Sequence, residues 1–366
     1  MPQIHINLSK IKYNAMVLQH MLAEQGIRMI PVTKCMGGDP KVRQQFREMG
    51  FNTLAESRLT AMMTNEQHPT EHDMMIKGAL PHEIHDVVRY SQISIQTELE
   101  TIRALSDEAV AQGVKHHIYQ GVKHHIYLMV DWKDGREGAL TYEVVPLIKE
   151  IIRLKGVYLK GLSFNFMCFR QIPPTEEDIV YINYFIESVE RDTGVKFKTI
   201  SGGNSSMLTL AMYADLGRIN ELRIGEALFR GYETAYNMRL PYLFDNAVTL
   251  SGRILEIKPR LNLETRQSYM QALVDIGQLD TVIAGIQPVD HQLKIVGHSS
   301  DTLMMNLGLA DYYQLGDKIE FHLDYSALAH SMHMQHIPRS YEEDLGIEQL
   351  VRGFVDIKKN NFIKQY

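Results

Sequence analysis

The strongest constraint in this sequence is an alternation, repeated eight times over the first two thirds of the chain, of short apolar runs rich in β-branched residues with longer amphipathic stretches. The runs fall at 28–34, 52–55, 73–77, 92–96, 125–131, 157–164, 197–201 and 221–224. A strand that is apolar along its length is buried on both faces, the condition of a parallel sheet covered by helices. Eight strand-and-helix units within roughly 230 residues meet the requirement of a closed barrel, with a doubly wound sheet as the alternative. The intervening segments carry helix starts: Ser9 can cap 10–25, Asp39 and Pro40 can open 40–49, and Pro174, Thr175 and two glutamates begin 175–193. Beyond about residue 240 the helical period fades, and strand-like runs at 247–257, 270–276, 293–297, 302–307 and 317–322 take over. The predicted fold class is α/β. A (β/α)8 TIM barrel over 1–238 precedes a mostly β C-terminal domain over 239–366, and the first strand, 1–8, is able to pair with that second domain.

Composition narrows the function classes. With 366 residues, 45% hydrophobic and 22% charged, the chain can bury a sizeable core, and wholesale disorder is excluded. The formal net charge is -6 and the 38 lysines and arginines form no basic block, which argues against nucleic acid as a partner. No apolar stretch approaches the roughly 18 residues of a membrane span, and MPQIHINLSK lacks the apolar core of a secretion signal. The expectation is a cytoplasmic protein with no membrane partner. Two cysteines, Cys35 and Cys168, agree with a reducing compartment.

The octapeptide QGVKHHIY occurs at 112–119 and again at 120–127. Its histidines, His116, His117, His124 and His125, invite a metal site, but neighbours along a strand point to opposite faces and do not converge. The reading is a short duplication that lengthens the connection into the fifth strand, and no metal is expected.

In a (β/α)8 barrel the reactive groups sit at the C-terminal ends of the strands. Those ends carry Lys34, then Glu56 and Ser57, Lys77, Thr97, Asp131 with Arg136, Asn165 with Cys168, the run Ser201 to Ser206, and Arg223 with Gly225 and Glu226. Loops seven and eight are the usual phosphate site of such barrels, and SGGNSS offers hydroxyls and free backbone N–H groups at a helix start. The same run also reads as a plain glycine-rich turn with Asn204 or Ser205 as cap. Lys34, among apolar neighbours, has the surroundings of a Schiff-base lysine, although an ion pair to Glu56 or Asp39 at the rim would also suit it. Lys77 is the rival candidate.

VTK ending at Lys34 with GGDP, DGREG at 134–138, SFNFMCF with PPTEE at 163–177, SGGNSS at 201–206, and LRIGEALFRG at 222–231 follow one another along the chain. ALVDIGQLD at 272–280, VGHSSD at 296–301 and GDKIEFHLDYSAL from 316 continue the series. In this order and spacing they resemble the alanine racemase superfamily of pyridoxal-phosphate enzymes, nearest to its ornithine racemase branch. The resemblance implies that Lys34 forms the Schiff base with pyridoxal 5'-phosphate and serves as one catalytic base. It implies that Arg223 hydrogen-bonds the pyridine nitrogen, and that Ser201, Asn204, Ser205, Ser206, Gly225 and Glu226 surround the phosphate. Arg136 matches an arginine that reaches the cofactor and the substrate carboxylate, and Asn165 lies where the family often has a histidine near the ring.

Departures bear on the substrate and the second base. Alanine racemases supply the opposite-face base from a glycine-tyrosine motif of the partner subunit, whereas here Gly277 is followed by Gln278. KCMGGDP lacks the family's phosphate-binding tyrosine after the lysine, and Met129 stands where a lysine is often found. These gaps point away from alanine. Cys168 and His336 are the candidates for the second base, against readings as a buried hydrophobe and a solvated side chain. Ser300 and Asp301 are expected at the substrate, from second-domain segments that in this family face the partner's cofactor, which implies a homodimer. The function expected is a racemase of a free basic amino acid, ornithine or lysine. A non-catalytic carrier of the cofactor, or a decarboxylase or aldolase on the same scaffold, are the alternatives.

Overall fold

The computed structural model describes residues 1–63, 73–113 and 124–351. Most of the octapeptide duplication, His116 and His117 included, lies outside the described residues. The first strand, β1 (Gln3–Asn7), leads straight into the helix Leu8–Glu24. Eight parallel strands follow: β2 (Arg28–Pro31), β3 (Ala55–Glu56), β4 (Met74–Met75), β5 (Ile93–Gln96), β6 (His124–Met129), β7 (Val157–Ser163), β8 (Thr199–Ser201) and β9 (Glu221–Ile224). Their spatial order is β2-β9-β8-β7-β6-β5-β4-β3. The ring closes through a bridge between Val32 and Ala55, where the Thr33 N–H donates to the Ala55 carbonyl at 3.0 Å. All eight predicted runs contain or adjoin one of these strands, and the TIM barrel is the observed architecture.

The inside of the barrel is a small closed core. Ile30, Val32, Ala55, Met74, Ile93 and Tyr127 meet there, while the outer faces of the strands join a larger core with the surrounding helices. At the N-terminal end Arg28 pairs with the fully buried Glu221, and the Tyr127 hydroxyl donates to the same carboxylate at 3.3 Å. Lys160 lies over the Tyr127 ring, 5.8 Å from its centroid. On β6 the two described histidines diverge: His124 is buried and pairs with Ser94 Oγ at 2.7 Å, whereas His125 packs edge-on against Tyr158.

Two of the expected caps are present. Asp39 accepts from the N–H groups of Lys41 and Val42 ahead of the helix Pro40–Glu48, and Thr175 forms a capping box with Asp178 ahead of Glu176–Thr193. The first helix differs. Its cap is Asn7, which accepts from the Lys10 N–H at 2.9 Å, because the chain passes from strand to helix without a loop. Ser9 is buried instead, and its hydroxyl accepts from the Asp344 N–H at 2.9 Å.

The second domain is a mostly antiparallel sheet built on the long β10 (Val248–Leu261). It contains β11 (Ser268–Val274), β12 (Ile286–Pro288), β13 (Lys294–His298), β14 (Leu303–Asn306) and β15 (Lys318–Leu323), in the order β12-β15-β10-β11-β14-β13. A register shift between Ile254 and Glu256 divides β10, so that one half pairs with β15 and the other with β11. β1 lies antiparallel to β10 and parallel to the last strand, β16 (Arg339–Glu342), so the start of the chain is part of this sheet.

The sequence reading had no counterpart for β12, β16 or the helix Tyr325–His333. This helix follows β15 and packs on the Lys34–Met36 turn at the barrel mouth. Gly37 makes the approach possible: its φ is +60°, and a Cβ there would lie 3.0 Å from the Met332 carbonyl oxygen. Asp39 fastens the same junction, accepting from Arg339 Nη1 and the Tyr341 hydroxyl at 2.7 Å each.

Candidate active site

A cavity of about 730 Å³ opens at the C-terminal ends of the barrel strands, a size usual for small-molecule sites. Lys34 enters it from the turn after β2, Ser57 after β3, Lys77 after β4, Arg136 after β6, and Asn165 with Cys168 after β7. Asn204 and Ser205 line it after β8, and Arg223, Gly225 and Glu226 at and beyond the end of β9. Lys34 and Cys168 belong to strands three places apart in an eight-strand ring, so they approach from opposing parts of the wall.

Arg223 is fixed from behind. One guanidinium nitrogen donates to the Ser201 hydroxyl and carbonyl, the other to the Phe164 carbonyl at 2.7 Å. Ser201 thus orients Arg223 and does not itself line the cavity. Burial pulls this guanidinium's pKa below the usual arginine range, and Glu221 and Tyr127 act against that shift. An arginine stays charged regardless, so a cation is held in a desolvated wall.

The loops after β7 and β8 are locked together by amides. Asn204 accepts from the Ser206 N–H at 2.8 Å, as the cap of its helix, and its Nδ2 donates to Asn165 Oδ1 and the Phe166 carbonyl at 2.9 Å each. Asn165 Nδ2 reaches the Cys168 sulfur at 3.0 Å. Asp134 accepts from the N–H groups of Cys168 and Phe169, tying this loop to the one after β6. Met167, at the cavity wall, has φ +63°, a left-handed conformation uncommon for a side chain of its size. Burial raises the Cys168 thiol above the ordinary range, with Arg136 acting in the opposite sense. The residue as a whole is exposed and lines the cavity.

Several expected residues have other surroundings. Glu56 is buried, takes the Thr33 hydroxyl at 3.1 Å and the Ser57 N–H at 2.7 Å, and is raised in pKa by burial. It does not line the cavity. Glu226 does, but pairs with Arg230 four residues on, and burial raises its pKa as well. Ser300, Asp301 and His336 lie outside this chain's cavity: Ser300 donates to Asp301 at 2.8 Å, and His336 Nε2 pairs with Asp280 at 2.9 Å.

Tyr325 and Ser326 line the cavity and were not foreseen. They open the helix Tyr325–His333, whose cap Asp324 accepts from the Ala327 N–H at 2.7 Å. The signal was present as Asp324 ahead of the helix-forming run YSALAHSMH. Burial raises the Tyr325 phenol well above its ordinary range, so the hydroxyl is neutral and able to donate. Glu137, Gln171 and Thr234 are further polar wall residues that were not foreseen.

The lining suits an anionic ligand. Among the described residues it holds four cations, Lys34, Lys77, Arg136 and Arg223, against two carboxylates, Glu137 and Glu226. Beside it the Ser206 hydroxyl is buried with no hydrogen-bond partner, next to the helix start that Asn204 caps. An orphaned buried hydroxyl beside excess positive charge is what a phosphate would satisfy.

Comparison with known proteins bears on this arrangement. Residues 6–233 match the family described as alanine racemase, N-terminal domain. The chain belongs to that family. Its relatives include the ornithine racemase of Acetoanaerobium sticklandii, 27% identical over 92% of this chain and 99% of the relative. The lysine racemase of Thermotoga maritima is 26% identical over 94% of this chain and 99% of its own length. Among solved structures, the Bartonella henselae alanine racemase with covalently bound pyridoxal phosphate superposes with a TM-score of 0.71 at 15% identity, covering 93% of this chain and 99% of the other. The family therefore extends over the whole barrel, and the shared fold over both domains. Among the described residues no helix is long and apolar enough to cross a membrane, and no His/Cys/Asp/Glu group is arranged to hold a metal ion.

Proposed function

We propose that this protein is a pyridoxal-phosphate-dependent racemase of a free basic amino acid, ornithine or lysine. The observation that carries the proposal is one cavity walled by Lys34, Arg223, Arg136 and Ser205, with the orphaned Ser206 hydroxyl beside it. The names of the two curated relatives, each matched over nearly its full length, support the choice of a basic substrate.

When bound, the cofactor supplies an electron sink that makes an amino acid's α-proton removable by an amine. The chain does the rest. Lys34 would hold the aldehyde end of the cofactor, and its Nζ would hold or release the proton. Ser205, Ser206 and backbone groups near Gly225 and Glu226 hold the phosphate, within the framework that Asn204 and Asn165 brace. Arg223 donates to the ring nitrogen and, being unable to surrender its own proton readily, leaves that nitrogen unprotonated. Arg136 takes the substrate carboxylate.

Inversion needs a second proton-carrying group across from Lys34. Cys168 fills that role in this reading: it lines the same cavity from a different strand, and its raised thiol pKa keeps it protonated, hence a donor, at neutral pH. His336, tied to Asp280 outside the cavity, is the weaker candidate. Ser300, Asp301 and His336 would serve a second copy's cavity, so the protein works as a homodimer. Sedimentation of an active, strictly monomeric species would overturn that part.

The test of the function is an absorbance scan of the purified protein followed by chiral chromatography after incubation with ornithine and lysine. A visible absorbance band from the bound cofactor and conversion of each enantiomer to its mirror image are expected. Loss of carbon dioxide without racemisation would overturn the assignment.

A further inference from the structure

We propose that Glu137 is the carboxylate that reads the side-chain ammonium of the substrate, through an exchange of partners with Arg136. This rests on the racemase reading above and adds the residue that selects a basic side chain over a neutral one.

The argument begins with elimination. Glu56, Glu226 and Asp301 are the carboxylates that could rival Glu137. Glu56 turns away from the cavity among Thr33, the Ser57 N–H and Arg43. Asp301 stands outside this chain's own cavity and could reach the site only from a second copy, a rival that the Glu137 variants test against. Glu226 is committed: it and Arg230 are each only 13% exposed, and Arg230 is further held by the Leu323 carbonyl at 2.9 Å and by the face of Tyr232. Among the described wall residues Glu137 is the remaining carboxylate.

Its situation differs from that of Glu226 in kind. Glu137 is 34% exposed and pairs with Arg136, itself 37% exposed. An ion pair this open to solvent is weak and separates at little cost. The loop bearing both residues is held at its base, where Asp131 accepts from the Gly135 N–H at 2.8 Å and Val130 bridges to Ala139. Gly138 completes that base: its φ is +133°, and a Cβ would come within 2.3 Å of the Asp131 nitrogen. A stable base therefore presents a weak pair of opposite charges to the cavity.

A basic amino acid carries the counter-charge for each member. Its α-carboxylate can replace Glu137 on Arg136, and its terminal ammonium can replace Arg136 on Glu137, so that both charges of the loop stay paired as water is displaced. A neutral amino acid of the same length supplies only the carboxylate. It separates Glu137 from Arg136 and leaves a carboxylate to lose solvent without compensation. Selection thus arises as much from the cost imposed on the neutral substrate as from attraction for the basic one.

The experiment compares kcat/KM for L-ornithine with L-norvaline, and for L-lysine with L-norleucine, pairs matched in carbon chain. It uses the cofactor-loaded wild type, Glu137→Gln and Glu137→Asp, with the absorbance band as the check that each protein is folded and loaded. Glu137→Gln is expected to lower the basic-to-neutral ratio at least about tenfold, chiefly through KM for the basic substrate, with Glu137→Asp between it and the wild type. An unchanged ratio, including a parallel fall of both members as a structural role would give, overturns the inference while the racemase reading stands. A loaded wild type that racemises none of the four compounds overturns the racemase reading itself, and this inference with it.

Discussion

The two ends of the barrel hold similar side chains in opposite conditions. At the floor Arg28, Glu221, Tyr127 and Lys160 are gathered around one buried carboxylate, and cation meets anion directly. At the mouth Lys34, Lys77, Arg136 and Arg223 outnumber the carboxylates, and Arg223 is buried with only neutral oxygens as direct partners. Neighbouring residues of β9 belong to both: Glu221 closes the floor, and Arg223, two positions on, opens to the cavity. Two-residue spacing keeps them on one face of the strand. Charge satisfied within the chain stabilises the fold, whereas charge left unsatisfied is available to a ligand.

The sharpest way to break this contrast is at Lys34. Lys34→Ala should remove the cofactor absorbance band and lower racemisation by about 10⁴-fold or more, while Lys77→Ala should retain the band. The reverse result would move the anchor to β4. Next in size is Cys168. Its replacement by Ala should lower kcat by about 10²-fold, yet leave exchange of the α-proton with heavy water for one enantiomer, since Lys34 still works alone. Equal loss of exchange from both enantiomers would show that the thiol is not the opposite-face group. With its pKa raised, the neutral thiol persists through neutral pH, and the rate in the direction that needs it as donor should fall only under alkaline conditions.

The floor is expected to answer in stability. Glu221→Gln should lower unfolding free energy by about 1–3 kcal/mol, less than for a fully enclosed ion pair because Arg28 is half exposed, with kcat within about threefold of wild type. A denaturation midpoint that does not move would remove the distinction between the two ends. The smallest effect belongs to Ser206. With no partner for its hydroxyl inside the chain, Ser206→Ala should change stability by less than about 0.5 kcal/mol, but weaken cofactor binding several-fold in equilibrium dialysis.

The barrel was legible because its strands are buried on both faces and therefore read as unbroken apolar runs. Lys34 and Arg223 were legible for a related reason: a charged residue ending such a run has nowhere to go except the mouth. The expectation weakened where position depends on contacts distant in sequence. Tyr325 reaches the cavity because its helix docks on the Lys34 turn, an approach set by Gly37 and Met332, nearly three hundred residues apart. Glu137 sits beside a residue that was singled out, but its direction depends on the bridge from Val130 to Ala139 and the left-handed glycine between them. The first helix cap shifted from Ser9 to Asn7 because the length of a connection is not written in residue type.

The docking of Tyr325–His333 on the Lys34 turn makes the reaction chamber a joint product of segments from both ends of the polypeptide. A barrel severed before β10 would lose part of its own ceiling and the clasp that Asp39 forms with Arg339 and Tyr341. Change in either half is therefore answerable to the other through this junction.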